Sequence, residues 1–318
     1  MRGRSTVVGA AFATTTAVTW GGQFVVGKSA LDQVNAFPLS TLRYALAAGL
    51  WLVVLAALEG RGALRPDGRG LRLFWLGTLG FAGFNLLAYT GLAHSRPQSA
   101  SLIVALAPLL TALVLWRRTG RRPSNVTFAF LAVALAGVVL VISGGHPSTI
   151  VNGSIGWGDG LVLAGVFSFV LYGLGAAQFT DFSPLRYTAL TASYGWLSIA
   201  SATAVALATG LVRVPSAHSL VATTPQILYL ALPGAFVAVL TWNAAIGMIG
   251  PQNAVLFGNL IPVTTFAIEI VRGYRPGVVE LGGAALTIAA LVANNLVARR
   301  PRRAAEVDRD YEELLEAA

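Results

Sequence analysis

The sequence predicts an all-α polytopic membrane protein, with ten transmembrane helices arranged as two five-helix inverted repeats. Of its 318 residues, 55% are hydrophobic and only 11% charged, and the mean hydropathy is +0.70; a soluble domain carries about 25% charged residues. The apolar residues gather into runs of roughly 20, long enough for a helix to cross hydrocarbon and too long for barrel strands. A backbone in lipid has to satisfy its own hydrogen bonds, so each run reads as a helix. Two short patterns recur in corresponding runs of the two halves, which makes the chain an internal repeat.

In order, the runs of the first half cover residues 6–28, 38–58, 73–92, 99–116 and 126–142, and those of the second half cover 160–177, 187–208, 227–249, 254–271 and 278–298. The first follows Arg2 and Arg4 as a signal peptide would, but it is long for one and further spans follow. Net charge is +9. With the N-terminus inside, fifteen of the 22 basic residues fall in inner segments: at the start, in 61–72, in 117–122 and after Ala298. Arg96, Arg213, Arg272 and Arg275 fall outside. This bias predicts cytoplasmic termini, and the single lysine, Lys28, among so many arginines points to a GC-rich bacterial genome, so the expected location is a bacterial plasma membrane. Trp51, Trp75, Trp116 and Trp157 read as interfacial anchors. Ala285, Ala289 and Ala293 recur every four residues and predict a small face on the last helix for close helix packing.

The repeat is carried by Pro97-Gln98-Ser99-Ala100, eleven positions before Pro108, against Pro251-Gln252-Asn253-Ala254, eleven before Pro262. Leu42-Arg43-Tyr44 against Leu185-Arg186-Tyr187 is a second echo. The offsets, 154 and 143 positions, place an insertion or deletion between the halves. An odd number of spans per half makes the second half enter the membrane with opposite polarity, as in many transporters. The expected units are residues 1–145, residues 155–300 and a charged cytoplasmic tail, 301–318.

Catalytic constellations are missing from the sequence. Cysteine is absent, which removes disulfides and thiolate metal sites. His94, His146 and His218 lack metal-ligand spacing. Gly27-Lys28-Ser29 closes an apolar helix instead of following a glycine-rich loop, so nucleotide hydrolysis is not expected. The reading is therefore no enzyme, no cofactor and no metal. The expected partners are a small-molecule substrate and the bilayer, with no nucleic acid; a monomer and a homodimer are both compatible with it.

A charge inside a span needs a partner, a wet cavity or a route to the interface. Arg43 and Arg186 read either as snorkelling side chains or as holders of an anionic group such as a carboxylate. Gln23, Asn85, Ser101 and Asn259 sit too deep to snorkel, and they read either as interhelical hydrogen-bonding groups or as ligand contacts. Trp20, Tyr89, Tyr172 and Trp242 are candidate aromatic walls of a substrate cavity, and Asn243 matches Tyr89 at the 154 offset. Pro108 and Pro262, each near the middle of a run, predict helix kinks that expose carbonyls. Glu269 is the one candidate for proton coupling, and Arg272, a turn away, predicts an ion pair instead.

Several of these residues occur together in a known pattern. Trp20-Gly21 with Phe24 and Lys28, Leu42-Arg43-Tyr44 after Pro38, Asn85 with Tyr89, Ser99-Ala100-Ser101-Leu102, Ala107-Pro108, Gly158-Asp159, and Asn253-Ala254 with Pro262 and Glu269 resemble the drug/metabolite transporter superfamily. Within it the chain is similar to the ten-helix EamA-type permeases. The family often carries a glutamate near the end of the fourth helix as well as the ninth, where this chain reads Leu115-Trp116-Arg117. The resemblance implies export or exchange of a small metabolite, commonly an amino acid or related compound, by alternating access around a central cavity. A sugar-phosphate or nucleotide-sugar exchanger, and a non-transporting membrane scaffold or enzyme, are the competing readings.

Overall fold

The computed structural model describes residues 2–120, 122–144 and 156–316; His146 and the expected junction between the repeats lie outside the described residues. In the first half α1 (Arg2–Leu31) and α2 (Ala36–Leu58) precede α3 (Gly70–Gly77). This last helix runs through a π-helical segment, Thr78–Gly83, into α4 (Phe84–Ala93). Then come α5 (Pro97–Ala105), α6 (Ala107–Thr119) and α7 (Asn125–Ser143). The second half holds α8 (Trp157–Gly175), α9 (Pro184–Ala208) and α10 (Ala217–Tyr229), the last joined by a second π-helical segment, Leu230–Val237, to α11 (Ala238–Ile249). The chain ends in α12 (Pro251–Gly258), α13 (Leu260–Val271) and α14 (Val278–Glu316).

Local chemistry sets these boundaries. The side-chain oxygens of Asn35, Ser124, Ser183 and Ser216 accept backbone N–H groups in the first turns of α2, α7, α9 and α10. Pro97, Pro184 and Pro251 occupy first turns, where no partner is needed for the missing N–H. α5 and α6 part at Leu106, just before Pro108, with a 40° bend. α12 and α13 part at Asn259, just before Pro262. In each case proline removes the hydrogen bond that would carry the helix through.

Among the described residues eight helices, counted through their π segments, are long and apolar enough to cross a membrane, and the bent α5–α6 pair makes nine. The expected ten is not reached by this measure, because α1, at 30 residues, is diluted by polar side chains. Thr14, Thr15, Thr16 and Thr19 turn their hydroxyls back to carbonyls one turn earlier in that helix, which hides their polarity within it.

The helices pair in a pattern that survives exchange of the two halves. α1 lies against α11 and α13, while α8 lies against α4 and the α5–α6 pair. α2 lies against α9, α5 against α13, and α7 against α14. Both π segments occupy the third long helix of their half, and both back onto α2 or α9. The arrangement is consistent with a two-repeat architecture.

Some sequence expectations change in the structure. The close crossing of α14 on α7 is made by Gly283, where an added Cβ would stand 2.7 Å from the Gly137 carbonyl, and not by the alanine stripe. Ala285 and Ala289 face outward. Thr287 decides the rotation, because its hydroxyl reaches the Ala134 carbonyl across the crossing at 3.2 Å. Trp51 is 2% exposed and packs on Phe236 at 5.0 Å between ring centres, so it is a core residue and no anchor. Trp75, Trp116 and Trp157 are exposed, as an anchoring role requires. His218 lies in the first turn of α10, because that helix starts about ten residues before its apolar run.

Loops of the two halves meet at both ends of the bundle. At one end Arg69 holds Asp181 through two hydrogen bonds of 2.8 and 2.6 Å, Arg186 holds Asp67 at 2.6 Å, and Ser183 donates to Glu59 at 2.5 Å. The Arg69 guanidinium holds the Asp181 carboxyl down at about 2. Phe179 and Phe182 fill the space beneath, with Arg69 and Arg186 over their rings. At the other end Arg96 joins Glu280 and Tyr274, each at 3.1 Å, and the carbonyl of Val141. Burial, helped by its bond to Glu280, pushes the Tyr274 hydroxyl up to about 12.

Candidate functional site

The structure takes Arg43 deep into the protein. It is the eighth residue of α2, about 10 Å along the axis from the helix start, and only 1% of it is exposed. Its Nη2 donates to the Gln23 side-chain oxygen at 3.0 Å. The guanidinium lies 4.8 Å from the ring centre of Tyr89 and 5.0 Å from that of Tyr44, the geometry of cation–π attraction. Among the described residues its Nε and Nη1 have no hydrogen-bond partner. The same holds for the hydroxyls of Tyr89 and Ser40 and for the Asn85 carbonyl oxygen, all buried. Asn85 is turned by its amide nitrogen, which donates to the Tyr44 hydroxyl at 3.2 Å and to the Phe81 carbonyl, inside the π segment, at 2.8 Å.

A second group adjoins the first through Gln23. Trp20 donates from its indole to the Gly234 carbonyl at 3.1 Å and packs on Trp242 at 5.5 Å. Gly234 also faces Gln23: a Cβ there would stand 2.8 Å from the Gln23 oxygen, so only glycine leaves that amide its position. Asn243 is half-buried beside Trp242 on α11. The structure thus brings together Trp20, Gln23, Arg43, Asn85, Tyr89 and Trp242, on α1, α2, α4 and α11.

The remaining candidates have other partners. Arg186 donates to the carbonyls of Ala63 at 2.9 Å and Arg65 at 2.7 Å as well as to Asp67, and so fastens a loop. Tyr172 stacks on Tyr187 at 5.3 Å and shares a hydrogen bond with Thr191. Ser101 donates to the Gln98 carbonyl of its own helix, and Asn259 to the Leu256 carbonyl at the α12–α13 break. Glu269 accepts from Arg272 at 3.1 Å, as their spacing predicts. Lys28 donates to the carbonyls of Leu92 and Ala93 and so closes the end of α4. A polar cavity of about 360 Å³ opens beside Lys28, His94, Arg96 and Asp159, and none of the predicted cavity residues lines it.

Sequence reading missed Ser40 and Tyr44. The Leu-Arg-Tyr echo contains Tyr44 and could have drawn it in, whereas Ser40 carries no signal beyond lying one helical turn before Arg43.

The described residues form a multi-pass bundle of apolar helices around a buried polar cluster. The chain belongs to the EamA-like transporter family, whose sequence model matches residues 7–143 and again 156–296. It is 29% identical to the uncharacterized transporter YrdR of Bacillus subtilis, over 97% of this chain and 95% of that one. To the uncharacterized transporter YyaM of the same organism it is 30% identical, over 89% and 92%. It is 27% identical to a probable terminal-alkyne amino-acid exporter of Streptantibioticus cattleyicolor, over 88% and 91%. One solved crystal structure shares the fold with a TM-score of 0.64 at 20% identity, over 94% of this chain and 100% of the other. The protein is a transporter and not an enzyme.

Proposed function

We propose that the chain is a secondary transporter that moves a small metabolite bearing a carboxylate, such as an amino acid, past Arg43 by alternating access. The observation that carries this reading is a fully enclosed guanidinium whose hydrogen-bonded side-chain partner is an uncharged amide. A buried charge left without an opposite charge is expensive, and a passing anion would supply one. A single guanidinium suits a monocarboxylate. A phosphate monoester, with nearly two charges, would want a second cation, and Lys28 and Arg186 are engaged elsewhere with backbone carbonyls. The amino-acid exporter among the relatives favours the same class.

In this reading the chain makes ten spans as two inverted five-helix repeats, 1–145 and 155–300, with tail 301–318 and both termini in the cytoplasm of a bacterial plasma membrane. The ties from Arg69 and Arg186 then close the cytoplasmic end. Flux is facilitated diffusion or exchange, because Glu269 is taken by Arg272. Counterflow in proteoliposomes against amino acids, nucleosides and sugar phosphates tests the proposal. Uptake of amino acids that disappears in Arg43→Ala is expected. Counterflow of sugar phosphates alone, or flux indifferent to Arg43, would overturn it.

A further inference from the structure

We infer that Gln23 sets the charge selectivity of the Arg43 site: by answering the guanidinium with an amide it leaves one positive charge for the substrate's carboxylate to cancel. The inference rests on the proposed role of Arg43 and adds to it the residue that decides which charge the site accepts.

Arginine is almost never enclosed in protein unless paired, and arginine keeps its proton in proteins. Arg43 donates to the Gln23 oxygen and lies over the rings of Tyr44 and Tyr89. Ring faces attract a cation without neutralising it. No ion pair to Arg43 occurs among the described residues. Glutamate has the shape of glutamine, and the Gln23 oxygen already stands at 3.0 Å in acceptor position. A carboxylate would therefore fit at position 23 with no rearrangement, and it would make the site neutral when empty. The amide is also held in place, since Gly234 leaves it room and the Trp20 indole fixes the Gly234 carbonyl beside it. Held so, Gln23 occupies Nη2 and leaves Nε and Nη1 for a ligand. The Asn85 oxygen, buried and unpartnered in the same cluster, adds an acceptor without charge. Donors with net positive charge and acceptors without any are what separates an acid from its amide.

The experiment uses the full chain, purified in detergent, and a panel of L-amino acids and short branched carboxylates against their amides. Binding is read from the shift in thermal unfolding and from intrinsic tryptophan fluorescence, to which Trp20 and Trp242 contribute. Wild type is expected to prefer each acid over its amide by about tenfold or more, the order of a lost charge-assisted contact. Gln23→Glu should lose that preference while unfolding at a higher temperature than wild type. Gln23→Met, of similar size and without charge, should keep the preference within about threefold. A Gln23→Glu protein that prefers acids as wild type does overturns the inference and leaves the transport reading standing. Equal loss in Gln23→Met and Gln23→Glu also overturns it, because geometry and not charge would then be the cause. A wild type that prefers no acid across the panel overturns both.

Discussion

Leu-Arg-Tyr occurs once in α2 and once in α9, and the two arginines finish in opposite surroundings. Arg186 is the third residue of its helix, close enough to the end for its guanidinium to reach back to two carbonyls and a carboxylate of the 61–67 segment. Arg43 is the eighth of its helix, about 7 Å deeper along the axis, where its guanidinium meets a side-chain amide and two tyrosines. Depth decides what a cation does here. Near the end it ties two halves together, and five residues further in it has no ion pair among the described residues. Identical triplets related by a repeat therefore carry no shared role.

The sharpest way to break that contrast is to replace each arginine by leucine. Arg43→Leu should cut counterflow by about 30-fold or more, given a lost buried charge contact of about 2–5 kcal/mol, while thermal stability stays level or rises, because an uncompensated buried charge has been exchanged for apolar surface. Loss of folding in Arg43→Leu would mean that the arginine is structural. Next in size, Gly234→Ala should fold and express near wild type yet lower flux several-fold, on the order of one lost hydrogen bond. Its new methyl would displace the far end of Gln23 and leave Arg43 unoriented. Unchanged flux in that variant would detach the Trp20 group from the site.

Arg186→Leu should show the reverse profile, with flux within about twofold and stability lower by about 1 kcal/mol or less, as for partly exposed ion pairs. Smallest is the pH effect at Asp181. Its folded value, about 2, lies below the roughly 3.9 of a free aspartate, so its tie to Arg69 contributes fully above pH 4 and is lost as pH falls through 2. Asp181→Asn should differ from wild type slightly at neutral pH and low salt, and not at all below pH 2. A difference that survives at pH 1.5 would assign the effect to packing.

Much of the fold is legible in the sequence because hydropathy and helix-breaking residues are local. The helix ends at Ala208, Ile249 and Val271 fall where the apolar runs end, and α14 begins at Val278 as its run does. What escaped needs three-dimensional neighbours. One extra residue per turn in Thr78–Gly83 and Leu230–Val237 is invisible to a 3.6-residue period. Trp51 and Trp75 both lie in apolar runs, and the packing of α2 on Phe236 separates a core ring from an exposed one. The small face of α14 was sought in alanines, whereas a crossing tight enough to touch backbone selects glycine. For the site, intramembrane polarity singled out Gln23, Arg43 and Asn85, but nothing in the sequence says that Arg186 meets carbonyls and Arg43 does not.

The unneutralised guanidinium of Arg43 also has a kinetic meaning. A carrier that reorients with substrate aboard moves a cancelled pair through its occluded form, whereas the empty carrier has to enclose a bare charge in a low-dielectric interior. On the role proposed for Arg43, the empty return is the slow leg of the cycle. Such a protein trades one molecule for another far faster than it lets a gradient run down, so that it equalises the ratios of its substrates across a membrane before it equalises their amounts.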